Sequence, residues 1–134
     1  MTVEVQWDNP EQTVIRFDFA ERWTLDEFEA VRKIAYQMYD KSPHQGMFGV
    51  LLIFPPRAFL PENILSIVRR QISVKHIRTG MIVVVSNNSY VKILCNMLVT
   101  VYRPARAVFT QTDNIEEGRA LLLARLQAAE TPNK

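Results

Sequence analysis

Two segments near the start of the chain alternate apolar and polar side chains. They run over Val3–Trp7 and Val14–Phe19, and Asp8, Asn9 and Pro10 follow the first of them as a turn signal. A period of two places one face of a strand in the core and the other in water. These positions therefore predict an antiparallel hairpin with one buried face.

The following stretch has helical spacing. Thr24 and Glu27 stand three residues apart ahead of it, which is the form of a capping box at the start of a helix. Phe28 and Val31 then share one side of the predicted helix. Residues 42–46, which read Ser-Pro-His-Gln-Gly, predict a break in the chain.

Later in the chain, apolar runs without alternation are typical of central strands that are covered on both faces. They cover residues 48–54 and 81–85, and a shorter run of the same kind covers residues 107–110. Helical patterns separate and follow these runs, over residues 62–76, residues 89–102 and from Asp113 onward.

The order of elements is therefore β-β-α-β-α-β-α-β-α. Strands that alternate with helices predict an α/β fold with a mostly parallel central sheet, an N-terminal antiparallel hairpin and flanking helices. We expect a single domain over residues 1–130 and a flexible tail over residues 131–134.

The composition is that of a globular domain. The 134 residues are 48% apolar and 22% charged, which suffices for a core without cross-links. A single cysteine, Cys95, excludes an internal disulfide and suits a reducing compartment. No signal-peptide pattern opens the chain, and its apolar runs fall short of the ~20 residues that span a bilayer. We expect a cytoplasmic protein that is not integral to a membrane.

Charge is distributed unevenly along the chain. Residues 63–112 contain seven Lys and Arg residues and no Asp or Glu, whereas residues 1–62 contain six basic and ten acidic residues. Either the basic side chains are a solvated helix face, or they contact an acidic protein partner or an anionic headgroup. Nucleic acid is not expected, because no helix-turn-helix or aromatic-interleaved basic stripe is present. The candidate basic patch consists of Arg69, Arg70, Lys75 and Arg78.

The predicted helix from Ser89 is apolar over roughly 240° of its circumference, against little more than 100° for an ordinary surface helix. So wide a face exceeds what one core contact requires, and monomers seldom expose large apolar patches. The two interpretations are internal burial and an interface with a protein partner or a second copy, as in a homodimer. The candidate interface residues are Val91, Cys95, Leu98, Val99 and Tyr102.

The carboxyl ends of the predicted parallel strands offer a second candidate site. Open α/β sheets bind ligands beyond these ends, and the free amides at a helix start favour anions. A small anionic ligand such as a nucleotide or phosphate, or a lipid, is therefore expected around Arg57, Ser86, Asn87 and Asn88. The alternative is that Asn88 or Ser89 only caps the helix.

Catalytic and metal-binding motifs are not found in the sequence. His44 and His76 lie 32 positions apart without a Cys or carboxylate at ligand spacing, so no metal site is predicted. Cys95 has no neighbouring base in sequence that would activate it as a nucleophile. No nucleotide-binding glycine loop or serine-hydrolase motif occurs, so neither a cofactor nor catalytic residues are predicted.

The last part of the chain resembles a known family. A strand over residues 80–86, a helix, a short strand over residues 105–110 and a capped helix over residues 113–122 follow one another there. This arrangement is similar to the end of STAS domains, and the nearest likeness is the SpoIIAA-like branch, which includes anti-sigma-factor antagonists. The resemblance implies a non-catalytic regulatory module that works through protein-protein contact. The alternative is a carrier or sensor domain for a small ligand.

The chain departs from that family at the junction of the third strand and the second helix. Phosphorylation-switched STAS domains carry a serine or threonine there, whereas residues 53–62 of this chain contain no hydroxyl group. The first serine that follows, Ser66, falls within the predicted helix. A switch operated by a kinase at this junction is therefore not expected.

Overall fold

The structure, a computed structural model, describes residues 2–130, and the predicted tail over residues 131–134 lies outside the described residues. It contains strands and helices in the order β1 Val3–Trp7, β2 Val14–Phe19, α1 Leu25–Lys41, β3 Phe48–Ile53, α2 Ile64–Ser73, β4 Thr79–Val85, α3 Ser89–Val101, α4 Arg103–Val108, β5 Phe109–Thr112 and α5 Ile115–Glu130.

The strands form one five-stranded sheet in the order β1-β2-β3-β4-β5. β1 pairs with β2 antiparallel, and every later pair is parallel. The structure thus confirms the predicted α/β fold, with a mostly parallel sheet and an N-terminal hairpin. Consecutive parallel strands that lie side by side require crossovers on one face, and α1, α2 and α3 lie there. α5 follows the last strand and covers the opposite face.

Local capping sets where three helices begin. At α1 the predicted capping box is present, because the Glu27 amide donates to Thr24 Oγ1 at 3.2 Å and the Thr24 amide donates to Glu27 Oε1 at 3.0 Å. At α3 the Val91 amide donates to Asn88 Oδ1 at 3.1 Å. The cap of α5 is Asn114, one residue beyond the predicted Asp113.

The structure adds a short helix that the sequence pattern did not predict. α4 spans Arg103–Val108, so the predicted strand over residues 107–110 begins only at Phe109. Pro104 fixes a helical φ in the first turn of α4. Arg106 donates to the carbonyls of Val99 and Thr100, at 2.8 and 3.0 Å, and so ties α4 back against α3.

α5 packs closely on its face of the sheet. A methyl group added at Gly118 would lie 3.2–3.3 Å from side-chain carbons of Leu51, Val83 and Val85. One added at Gly49 would lie 2.9 Å from Leu122 Cδ2. The two glycines therefore let the helix and strand approach each other, and no space remains between them.

An ion pair anchors α5 to the opening hairpin. Arg119 donates through Nε and Nη2 to the two carboxylate oxygens of Asp8, both at 2.8 Å, and the Asp8 side chain is 5% exposed. This contact with Asp8 raises the pKa of the Arg119 guanidinium. Arg119 therefore remains charged, and its contact with Asp8 joins positions 111 residues apart.

Candidate functional site

The sheet face under α1, α2 and α3 contains a cavity of about 140 Å³. Alternate side chains of β2, β3 and β4 form its floor, and the three helices form its walls. The lining is mainly apolar and comprises Phe17, Phe19, Trp23, Phe28, Arg32, Ala35, Tyr36, Tyr39, Val50, Leu52, Phe54, Leu60, Ile64, Leu65, Ile67, Val68, Gln71, Ile72, Lys75, Thr79, Ile82, Val84, Val91, Leu94, Cys95, Leu98 and Phe109.

The inward side of α2 shows how the cavity arises. Ile64, Leu65, Ile67 and Val68 all line the cavity, yet each remains only partly buried. Of the residues of α2, only Ile72, in its last turn, is fully buried. The apolar face of α2 therefore borders the cavity where a close-packed core would place other side chains.

Aromatic rings form one end of the cavity. The rings of Phe19 and Phe54 stack with their centroids 4.3 Å apart, and the Trp23 ring lies 4.9 Å from Phe19. Phe28 of α1 closes this cluster, with its ring 5.6 Å from Phe17 and 5.8 Å from Phe19. The cluster gives this end a rigid wall that suits an apolar molecule.

A polar bridge between α1 and α2 borders the cavity. Arg32 Nη1 donates to Gln71 Oε1, and Gln71 Nε2 donates to Glu29 Oε2 at 3.3 Å. The Arg32 guanidinium also lies 5.8 Å from the centroid of the Tyr36 ring. Gln71 thus holds one end of the guanidinium and is itself oriented by a carboxylate of α1.

Two hydrogen-bond donors in the lining have no partner. Arg32 Nε and Trp23 Nε1 are both buried, and neither meets an acceptor within residues 2–130. Buried polar groups are nearly always bonded, and leaving one unpaired costs about 1–3 kcal/mol. Both groups donate and neither accepts, so the complementary ligand group is a hydrogen-bond acceptor.

The charge of the lining has one sign. Its charged residues are Arg32 and Lys75, and no Asp or Glu is among the lining residues. Lys75 Nζ donates to the Thr79 carbonyl at 3.0 Å. Arg32 forms no ion pair with any carboxylate in the described part of the chain. The cavity therefore favours an anion over a cation.

Tyr39 and Cys95 place a hydroxyl and a thiol at the cavity. Burial raises the pKa of Tyr39 to about 12, and its hydroxyl lies 2.9 Å from Thr79 Oγ1. Burial likewise raises the pKa of the Cys95 thiol to about 12. Both groups are neutral at pH 7, and no lining residue is a histidine or a carboxylate that would serve as a base. The lining residues therefore include no nucleophile-base pair.

The predicted strand-end site has a different arrangement. Asn88 caps α3 and also donates to the Pro56 carbonyl at 2.8 Å, and Ser86 Oγ accepts from the Asn88 amide at 3.1 Å. Arg57 lies over the Phe59 ring, at 5.2 Å from its centroid, while Asn87 is exposed. None of the four predicted residues lines the cavity. The structure thus shows the capping alternative at Asn88, and the ligand-binding prediction for these residues stays untested.

The candidate interface on α3 requires a correction. Val91, Cys95 and Leu98 are buried against β4 and α4, with Leu98 only 2% exposed. Val99 and Tyr102 are partly buried in the same cluster. The apolar arc of this helix is so wide that its sequence did not determine which side packs inward. The exposed apolar residues lie on the opposite side and are Tyr90, Ile93, Met97 and Val101.

The predicted basic patch is divided in the structure. Arg69 and Arg70 are exposed beside a depression that is open to solvent, with the Arg69 guanidinium 5.0 Å from the centroid of the Tyr102 ring. Lys75 lines the cavity instead. Arg78 donates to the carbonyls of His44 and Gly46 and supports the loop before β3. Backbone carbonyls thus engage two of the four cations, and the exposed members of the predicted patch are Arg69 and Arg70.

Sequence reasoning missed Arg32, although a signal for it exists. Arg32 lies four residues from both Phe28 and Tyr36, so a helical pattern places it on the apolar side of α1. An arginine within an apolar helix face requires a partner or a route to water. The cavity itself had no such signal, since it depends on how far α2 lies from the sheet.

Comparisons with protein-family models, with curated proteins and with solved structures give no match to this chain. The resemblance to STAS domains therefore stays a prediction. Within residues 2–130, no three His, Cys, Asp or Glu side chains are grouped so as to hold a metal ion. None of the helices in that range has both the length and the apolar character needed to cross a membrane.

Proposed function

We propose that this chain is a non-catalytic carrier or sensor domain whose cavity binds one small, mainly apolar ligand. The observation that carries the proposal is the cavity of about 140 Å³ between the sheet and α1, α2 and α3. An engineered apolar cavity of about 150 Å³ in another protein binds benzene, so this volume suits a ligand of about six to ten non-hydrogen atoms.

The energetic cost of the cavity supports a functional role. At about 24 cal/mol per Å³, a cavity of 140 Å³ costs about 3 kcal/mol relative to a filled core. Domains of this size are stable by only about 5–15 kcal/mol. A bound ligand restores the missing contacts and stabilises the folded state by mass action.

The test is a titration of the folded protein with benzene, in which NMR spectra record the methyl resonances. We expect Val84, Leu65 and Leu98, which line the cavity, to shift. Leu122 and Val83, which are buried under α5, should stay unchanged and provide the internal control. The proposal is overturned if the cavity methyls do not respond, or if both groups shift alike.

The exposed face of α3 favours a second candidate function, contact with a protein partner or with a second copy. Tyr90, Ile93, Met97 and Val101 are 46–72% exposed and follow one side of the helix. An adjoining side of the same helix lines the cavity through Leu94 and Leu98. A ligand in the cavity and a partner on the exposed face would thus contact the same helix.

Light scattering tests this second function. We expect Ile93→Glu to lower the solution mass or to abolish partner binding, because it places a charge within the exposed face of α3. Ile77→Glu is the matched control, since Ile77 is exposed in the loop before β4. Equal behaviour of the two variants and the wild type would rule out this surface. A cytoplasmic location, expected from the single cysteine, belongs to the same proposal.

A further inference from the structure

We infer that the ligand is a small monocarboxylate, with its carboxylate on the Nε and Nη2 edge of Arg32 and its apolar body in the cavity. The inference rests on the proposed function, because it assigns a chemical class to the ligand of the same cavity. The volume limits the whole ligand to about six to ten non-hydrogen atoms, and its apolar body is either aliphatic or aromatic.

The bonding of Arg32 leaves one edge of its guanidinium for the ligand. Nη1 is occupied by Gln71, whereas Nε is buried and meets no acceptor in the described part of the chain. No protein group in residues 2–130 accepts a hydrogen bond from Nη2 either. Nε and Nη2 point the same way from a planar group, and together they match the two oxygens of a carboxylate.

Other arginines of this chain show the expected geometry. Arg119 binds Asp8 through Nε and Nη2, with both distances 2.8 Å. Arg16 binds Asp18 through the same two nitrogens, at 2.9 and 2.8 Å. Arg32 borders an apolar cavity, and no carboxylate of residues 2–130 occupies the same edge of its guanidinium. The ligand supplies what Asp8 and Asp18 supply elsewhere.

The rest of the lining favours a singly charged ligand. Lys75 is engaged with the Thr79 carbonyl, which leaves the Arg32 edge as the main cationic group. A doubly charged phosphate would require more hydrogen-bond donors than one guanidinium edge and the indole N–H of Trp23 provide. A carboxylate with an apolar body uses the edge fully and leaves the remaining lining in apolar contact. Arg32 thus sets both the charge and the planarity of the ligand head.

Calorimetric titration of the full chain with matched acids and amides tests the inference. The aliphatic pair is hexanoate and hexanamide, and the aromatic pair is phenylacetate and phenylacetamide. Each amide has the shape of its acid but carries no charge. We expect each acid that fits to bind about tenfold or more tightly than its amide, because charge-assisted bidentate bonds exceed neutral ones by that amount. The stronger of the two acids identifies the body as aliphatic or aromatic.

Variants of α1 separate the role of Arg32 from a general effect of charge. Arg32→Met should remove the preference for acid over amide, and Arg32→Lys, which keeps the charge but not the planar edge, should reduce it severalfold. Lys33→Met removes a cation from the exposed side of the same helix and should keep the preference intact. Urea denaturation of each variant shows whether it is folded.

The outcomes separate the inference from the proposal beneath it. Equal binding of acids and amides, or a preference for acids that survives in Arg32→Met, overturns the inference that the ligand is a carboxylate. If benzene still binds, the proposed function of the cavity is unaffected. If benzene, acids and amides all fail to bind, the proposed function fails and the inference fails with it. An acid preference that is lost only in the Arg32 variants supports both.

Discussion

The two faces of the sheet differ in how they are covered, although the same strands supply both. Under α5, Leu51, Val83 and Leu122 are completely buried, and two glycines let the backbone approach closely. On the other face, α2 lies over the same central strands and leaves a cavity of about 140 Å³. One face therefore follows the close packing expected of protein interiors, and the other departs from it.

The two faces also differ in the partners that they provide for the guanidinium group of an arginine. Arg119 on the α5 side is paired with a nearly buried carboxylate of Asp8. Arg32 on the cavity side has a buried Nε without an acceptor in residues 2–130. A fold held only by internal contacts would pair or expose both. The contrast supports the proposal that the α5 face stabilises the domain and that the opposite face binds a ligand.

Truncation of a leucine should have the largest effect and should differ between the faces. Leu122→Ala is expected to lower the free energy of unfolding by about 3–4 kcal/mol, because it opens a void in close packing. Leu65→Ala, at the cavity wall, should cost only about 1 kcal/mol, since Leu65 is partly buried beside space that already exists. Urea denaturation measures both, and equal losses would contradict the difference between the faces.

Enlargement of two adjacent valines in β4 sharpens the same comparison. The Val83 side chain lies under α5, so Val83→Phe should lower the free energy of unfolding by about 2–3 kcal/mol through overpacking. The Val84 side chain lines the cavity, so Val84→Phe should lower the free energy of unfolding by less than about 1 kcal/mol. The larger ring should also prevent benzene from binding. The thermal unfolding of the two variants provides the comparison. A larger loss in Val84→Phe would show that no usable space exists beside it.

Replacement of each arginine by methionine compares the two guanidinium groups. Arg119→Met should cost about 1–2 kcal/mol, because within residues 2–130 the nearly buried Asp8 carboxylate would keep one cationic partner, Arg16, at 3.6 Å. Arg32→Met should leave stability within about 0.5 kcal/mol or raise it, since it removes a cation without an ion-pair partner in the described residues. The midpoints of urea denaturation at pH 7 measure the stability of both variants. A clear loss of stability in Arg32→Met would mean that Arg32 stabilises the fold.

Alkaline pH should weaken the cavity face through Cys95 and Tyr39. Burial raises the pKa of each to about 12 in the folded state, from 9.0 and 10.0 respectively. The folded state thus favours the neutral forms, so their contribution is complete below pH 9 and is lost as the pH rises from 9 to 12. Each group lowers stability by at most about 1.4 kcal/mol per pH unit in its own window.

The Cys95→Ala variant isolates the thiol part of this effect. Between pH 9 and pH 10.5 its stability should fall about 1.6 kcal/mol less than that of the wild type. The buried cluster under α5 is aliphatic and contributes no such titration. Parallel stability curves for the two proteins over this range would argue against a deeply buried thiol at the cavity.

Local rules were sufficient where neighbouring residues decide the structure. The alternation in Val3–Trp7 and the spacing of Thr24 and Glu27 predicted the hairpin and the start of α1. The pattern over Ser89–Val101 predicted a helix but not which of its sides packs inward, because nearly every side is apolar. The choice of side depends on β4 and α4, which lie elsewhere in the chain.

The candidate site depended still more on distant contacts. The sequence places Arg32 on an apolar helix face, but only the fold brings Gln71, 39 residues later, to Nη1 and leaves Nε without an acceptor in residues 2–130. The volume of the cavity depends on the distance between α2 and the sheet. The sequence of α2 predicts an amphipathic helix whether or not that helix packs closely on the sheet. Sequence pattern thus gives the identity of the walls but not the distance between them.

The most direct test of the account is a crystal structure of the protein under xenon pressure. Xenon occupies apolar cavities of this size and is located without ambiguity by its scattering. The account predicts a xenon atom between Val84, Leu98 and Phe54 and none among the residues packed under α5. A structure in which α2 rests on the sheet and xenon finds no site there would contradict it.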